Sequence, residues 1–368
     1  MCLCGNKAFF MQQSAFTKIL MHWNEADNDR PMPWKGETDP YKIWLSEIIL
    51  QQTQVKQGWG YYERFISNYP TVQDLAAAKD EAVFKLWEGL GYYNRCKNLL
   101  VTARFITNEL GGKFPNTYDD IVALKGVGPY TAAAIASFAF NLPYAVVDGN
   151  VFRVLARVFG IDTAIDSTKG KQEFTALATK VLDTNQPGIY NQAIMDFGAT
   201  MCKPFAPSCN VCPLQSTCVA YQKGSVNLLP IKEKVLTKKS RWLYYFVIEC
   251  EGKTLVHKRT ANDIWQSLYE FYVLEANEQQ DWTKTQVQQW FQQQLNVTDV
   301  TLLHVSPLQK QQLTHQLIKG QFIKVQIATM PKTLAHYEWV NNGDLYKLAF
   351  PKFINQYLEM PTAQGQLF

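Results

Sequence analysis

Near residue 221 the hydrophobic period changes from helical to alternating, and no other feature constrains the fold as tightly. From Phe16 to about Ala220 nearly every segment has helical spacing between short polar joints, as in TVQDLAAAKDEAVFKLWEGL (71–90) and KQEFTALATKVLDT (171–184). Beyond it, RWLYYFVIEC (241–250) and KTLVHKR (253–259) are β-rich runs around a Glu251-Gly252 turn. FYVLE, a helical DWTKTQVQQWFQQQLN, TLLHVS and QQLTHQLIKGQFIKVQIA follow, the last read as a hairpin turning at Lys319-Gly320, with FPKFINQYLEM as a closing helix. Between the two regimes, KGSVNLLPIKEKVLTKKSR is basic and poor in core formers after Ile231, as a linker is. The pattern predicts a mostly α domain over 1–222, a linker over 223–240 and an α+β domain over 241–368, without internal repeats.

A chain of 368 residues with 47% hydrophobic content can bury more than one core. Its longest apolar stretches, such as TAAAIASFAF (131–140), are about half of a bilayer span, and the N-terminus has no signal pattern, so a cytoplasmic protein that avoids membranes is expected. A net charge of +4 fits nucleic acid but also fits an ordinary solvated surface.

Four places in the helical region carry chemistry. In YKIWLSEIILQQTQV (41–55), Glu47 has Ile43, Trp44, Leu50 and Gln51 as its helical neighbours. A carboxylate so placed either lies at the wet edge of an amphipathic helix or works with a raised pKa. In LKGVGPYTAAAIASFAF, Gly126 and Gly128 allow a tight turn into a new helix. The N–H groups from Val127 to Tyr130 would then point outward as an anion site suited to a DNA phosphate, although such turns also join helices with no ligand. In AVVDGNVFRVLARVFG, Asp148 opens another helix, as an N-cap or as a carboxylate kept ionised by the helix dipole.

The fourth place is CKPFAPSCNVCPLQSTC, in which Cys202, Cys209, Cys212 and Cys218 are spaced by six, two and five residues. Clustered cysteines in a reducing compartment point to metal, and four thiolates suit either a [4Fe-4S] cluster or tetrahedral zinc. Cys96 and Cys250 read as core residues, and the Cys2-x-Cys4 pair carries no assignment.

Taken together, LKGVGPYTA, VVDGNVFRVLARV and the four-cysteine loop resemble the endonuclease III superfamily of DNA glycosylases, built on a helix-hairpin-helix (here about 117–140). Within it the chain is most similar to the adenine DNA glycosylases, the MutY family. That pattern is met by Met32-Pro33-Trp34, YKIWLSEIILQQTQV, WEGLGYYNRCKNL and NQAIMDFGA (191–199), continuously from Trp34 to Cys218. The resemblance implies two helical subdomains around a cleft and a [4Fe-4S] cluster on the four cysteines. It also implies release of adenine from A:8-oxoguanine, and also A:G, mispairs in double-stranded DNA, by a monomer associated with the nucleoid.

By the same resemblance Glu47 donates a proton to adenine N7, while Asp148 stabilises or captures the oxocarbenium-like sugar, the division of labour of two-carboxylate glycosidases. Tyr130 and Asn150 orient Asp148. Gln52 and Tyr92 insert beside the flipped base, Thr53 and Leu90 contact the opposing 8-oxoguanine, and the Gly126-Val127-Gly128 turn holds phosphate. Bifunctional members carry a lysine two positions after the second hairpin glycine; here that residue is Tyr130, so base removal without an efficient lyase step is expected.

The C-terminal region resembles the MutT-like (Nudix-fold) domain of the same family. KRTANDIWQSLYEF lacks the carboxylates of a pyrophosphatase, so this domain should recognise the lesion rather than hydrolyse. The family's Phe-Ser-His motif is met in part by Leu313-Thr314-His315, which makes Thr314 and His315 the candidate contacts. Two further readings share these residues: an endonuclease III-like glycosylase/lyase, against which Tyr130 speaks, and a non-catalytic DNA-binding iron-sulfur protein, which turnover would exclude.

Overall fold

The computed structural model describes residues 4–233 and 238–360. Cys2 and part of the predicted linker fall outside them, and nothing is assigned to the Cys2-x-Cys4 pair. No helix among the described residues is long and apolar enough to cross a membrane. The chain divides into two compact units, one formed by Met1–Ala77 with Asn98–Val235 and the other by Ala78–Lys97 with Leu236–Phe368.

The helices in order are α1 (Cys4–Ala26), α2 (Pro40–Leu50), α3 (Val55–Asn68), α4 (Val72–Ala77), α5 (Asp80–Trp87), α6 (Asn94–Glu109), α7 (Tyr118–Val122), α8 (Pro129–Phe140), α9 (Gly149–Phe159), α10 (Thr168–Val181), α11 (Pro187–Thr200) and α12 (Val219–Gln222). In the first unit α11 packs against α1, α8 and α9, and α2 packs against α3 and α8. Phe16, Trp23, Val154, Phe174, Tyr190 and Phe197 fill the core between them, with Trp23 edge-on to Phe197 at 4.9 Å.

Helix starts follow local chemistry. Asp39 accepts the Tyr41 N–H, and Pro40, whose missing N–H costs nothing at a first turn, opens α2. Thr117 caps α7 by accepting from Asp120, as its sequence predicts.

The second unit holds an eight-stranded mixed sheet: β1 (Lys239–Cys250), β2 (Lys253–Lys258), β3 (Tyr269–Glu270), β4 (Tyr272–Ala276), β5 (Val300–Val305), β6 (Gln309–Gln312), β7 (Gln316–Ile327) and β8 (Glu338–Asn341). Its central pair, β1 and β7, is parallel from Lys239↔Gln316 to Glu249↔Gln326. Alternation along β1 sends Tyr244, Phe246 and Ile248 to one face, against Val287 and Phe291 of α13 (Lys284–Leu295). Tyr245 faces the other way, where Phe322 stacks on Tyr357 of α14 (Lys352–Leu358) at 4.2 Å.

The Glu251-Gly252 turn forms as expected, with both residues at positive φ. The other predicted turn does not. Gly320 sits inside β7, where a Cβ would collide with the Leu243 carbonyl oxygen, and the β6–β7 reversal falls at Leu313–His315. This glycine permits close strand approach; the sequence signal for a turn was a signal for crowding.

Candidate active site

Glu47 lies on the third turn of α2, a helix with buried residues on nearly every side, and is itself only 5% exposed. Burial, reinforced by the nearby charge of Asp148, raises its carboxyl to about 7 despite a hydrogen bond with Tyr130. The Tyr130 hydroxyl also donates to Met195 Sδ at 3.5 Å. The hydrogen bond between Tyr130 and Glu47 favours the ionised carboxylate and so acts against burial, which outweighs it.

Asp148 caps α9. Its Oδ1 accepts the N–H groups of Asn150 (2.8 Å) and Val151 (2.7 Å), and its Oδ2 accepts Asn150 Nδ2 (2.7 Å). Those donors pull its pKa down, as the helix-start argument requires, but burial outweighs them and the net direction is upward. The three donors favour the ionised form, as the helix-start argument expects, and burial opposes them. Of the two predicted orienting residues, Asn150 touches Asp148, while the hydrogen bond of Tyr130 goes to Glu47.

A cavity opens beside Glu47, lined among others by Trp34, Lys35, Ser46, Ser137 and Gln192; Asp148 and Tyr130 are not in its wall.

Behind Asn150 stands a residue the sequence reading missed. Arg153, 8% exposed, donates to Asn150 Oδ1 (2.8 Å) and to the carbonyls of Gly198 (2.6 Å) and Cys202 (2.7 Å). It fixes the Asn150 amide so that the NH2 must face Asp148. One turn on, buried Arg157 donates to the Lys203 carbonyl (2.7 Å) and lies 3.5 Å from Cys202 Sγ. Two arginines on an otherwise apolar helix face were the available signal.

Cys202, Cys209, Cys212 and Cys218 line one cavity with Arg157, Pro207 and Leu214. Among the described residues no group of three or more His, Cys, Asp or Glu is arranged to hold a single metal ion. Four thiols around one apolar space, with a guanidinium beside the first, are a donor set that suits either a [4Fe-4S] cluster or tetrahedral zinc.

In the helix-hairpin-helix, Gly126 takes φ +80° and Gly128 caps α8. The predicted anion site is smaller than the sequence suggested, because the Val127 N–H is bonded to the Leu124 carbonyl (3.1 Å) and Pro129 has none. Gly128 and Tyr130 remain as donors.

The predicted lesion contacts divide between the units. In the first, Gln52 is exposed with φ 56°, and Thr53 is partly buried. In the second, Tyr92 is exposed with φ 51°, Leu90 is 5% exposed, and the Tyr92 hydroxyl hydrogen-bonds the Thr314 hydroxyl. His315 is exposed in the β6–β7 turn. Positive φ at a non-glycine is held only where surroundings enforce it, and both residues predicted to insert into DNA have it.

Known proteins supply an independent measure. Residues 45–180 match the family model of the HhH-GPD superfamily base excision DNA repair proteins, and residues 244–360 match that of the NUDIX domain. An adenine DNA glycosylase of Buchnera aphidicola subsp. Schizaphis graminum is 36% identical over 258 residues, covering 70% of this chain and 74% of that one. One of Rattus norvegicus is 44% identical over 229 residues, 59% of this chain and 44% of that one. The solved structure of a thermostable thymine-DNA glycosylase superposes with TM-score 0.55 at 29% identity, over 59% of this chain and 99% of that one. The chain belongs to the adenine DNA glycosylase family.

Proposed function

We propose that this chain excises adenine mispaired with 8-oxoguanine, or with guanine, from duplex DNA in base excision repair, as a monofunctional glycosylase. The observation that carries the reading is the Glu47 carboxyl, buried and raised to about 7 within reach of the Asp148 charge. Adenine leaves poorly as an anion, so the bond to the sugar breaks only if the purine gains a proton while the sugar's positive charge is met from its other side. Glu47 supplies the proton to N7 and Asp148 faces the anomeric carbon. Arg153 and Asn150 hold Asp148 in position, and Tyr130 holds Glu47.

No amine stands at position 130 to form a Schiff base, so cleavage of the strand is left to another enzyme. The base reaches the site by flipping, with Gln52 and Tyr92 filling the gap and Thr53, Leu90, Thr314 and His315 reading the opposite strand. The hairpin turn at Gly126, Val127 and Gly128 takes a phosphate on the free N–H groups of Gly128 and Tyr130.

Cys202, Cys209, Cys212 and Cys218 would hold a [4Fe-4S] cluster, which braces the loop beside α9. The domains then divide as a catalytic region over 1–222, a linker over 223–240 and a lesion-recognition region over 241–368. The protein works as a monomer in the cytoplasm, on the nucleoid.

Single-turnover release of adenine from A:8-oxoguanine, A:G and A:T duplexes tests the reading. Release should be fastest with 8-oxoguanine and negligible with T, and borohydride should trap little covalent complex. Efficient trapping, or no release of adenine, would overturn it.

A further inference from the structure

Asp196 lies one helical turn beyond Gln192 on α11, and its side chain is fully buried. Its Oδ1 accepts from Arg30 Nη1 (2.7 Å) and Gln192 Nε2 (2.9 Å); its Oδ2 accepts from Asn28 Nδ2 (3.0 Å), with Lys35 Nζ 3.5 Å away. Asn28, Arg30 and Lys35 all belong to the strap between α1 and α2, and Lys35 and Gln192 line the cavity beside Glu47. A buried carboxylate with so many partners organises whatever surrounds it, because removing it takes an acceptor from two cations and two amides.

An ionised carboxylate can only accept. Gln192 must therefore turn its NH2 towards Asp196, which leaves its carbonyl oxygen to meet whatever enters the cavity. Without Asp196 the two ends of that amide would be interchangeable.

We propose that Asp196 is a positioning residue: by pinning the strap and the Gln192 amide, it sets the hydrogen-bond polarity of the cavity beside Glu47 to suit a purine that offers an N–H donor next to a ring-nitrogen acceptor. This rests on the adenine reading above. Adenine carries an N6 amino donor beside N7, whereas a 6-oxo purine puts an acceptor where Gln192 already presents one. A site built around one hydrogen-bond polarity rejects the opposite one strongly, so the lock converts a flexible amide into a discriminator.

The test uses the full chain with adenine or hypoxanthine opposite 8-oxoguanine, and compares single-turnover release of the two bases. In Asp196→Asn the new amide offers both a donor and an acceptor, so Gln192 can turn either way. Preference for adenine should fall by about tenfold or more, with the thermal midpoint recorded alongside. Gln192→Met, which cannot present either polarity and leaves the ties of Asp196 to the strap intact, should lose the preference to a similar degree; it decides the matter if Asp196→Asn does not fold. A folded variant of either kind that keeps the parent's preference overturns the proposal. If the parent releases adenine but has no preference to lose, this proposal alone fails; if it releases no adenine, the reading beneath it fails as well.

Discussion

Because burial raises Glu47 from 4.5 to about 7, the folded chain holds a proton across that window that the unfolded chain has already released. The sign follows: folding binds protons, so stability falls as pH rises from 4.5 to about 7 and stays low above it. Glu47→Gln removes the titration. It should be more stable than the parent at about pH 8, by on the order of 3 kcal/mol, with the gap closing near pH 4; denaturant unfolding at the two pH values measures it. Glu47 was legible in the sequence because a carboxylate among Ile43, Trp44 and Leu50 breaks the apolar pattern. The roles of Arg153 and Asp196 were not, since a charged residue on a helix is ordinary until its partners are known, and besides Asn150 and Gln192 on their own helices those partners lie 45 or more positions away, in Gly198, Cys202, Asn28 and Arg30.

Between elements, the closest approach that matters is that of α11 to α9. A Cβ on Gly198 would come 2.6 Å from Asn150 Cβ and 3.0 Å from its carbonyl oxygen. Gly198→Ala must push Asn150, and with it the donor that holds Asp148 Oδ2, out of place. Adenine release should drop at least tenfold, and stability by about 1–3 kcal/mol. A rate within a factor of two of the parent would show that Asn150 does not position Asp148. Elements were read with uneven success for a physical reason. Helices announce themselves by period and caps, as at Thr117, whereas a strand glycine such as Gly320 looks like a turn until the neighbouring strand is seen.

At the scale of the whole molecule, residues 78–97 group with the β-rich unit although their sequence is continuous with the helical region. The reasons are specific. Glu88 accepts the Phe350 N–H at 2.9 Å, Lys85 donates to the Leu348 carbonyl at 3.0 Å, and Lys258 pairs with Glu81 at 2.9 Å. No periodicity could reveal this, because the pairing joins positions more than 170 residues apart. Glu88→Ala should speed hydrogen exchange at Phe350 and through 88–92 by about ten- to a hundredfold, the loss of one hydrogen bond to a charged group, while leaving α9 and α11 protected. Unchanged exchange at Phe350 would show that this bond does not hold the segment.

On the proposed mechanism, catalysis turns on two carboxyl groups in different protonation states, and the pH dependence of single-turnover adenine release reads those states directly. With A:8-oxoguanine duplex, release by the parent should be greatest just below about pH 7, fall above it as Glu47 loses its proton, and fall again in acid as Asp148 gains one. Glu47→Gln should be slower by a factor of about one hundred or more and lose the alkaline decline, and Asp148→Asn should be at least as slow. A parent profile flat to about pH 9, or either variant releasing adenine at the parent's rate, would contradict the mechanism.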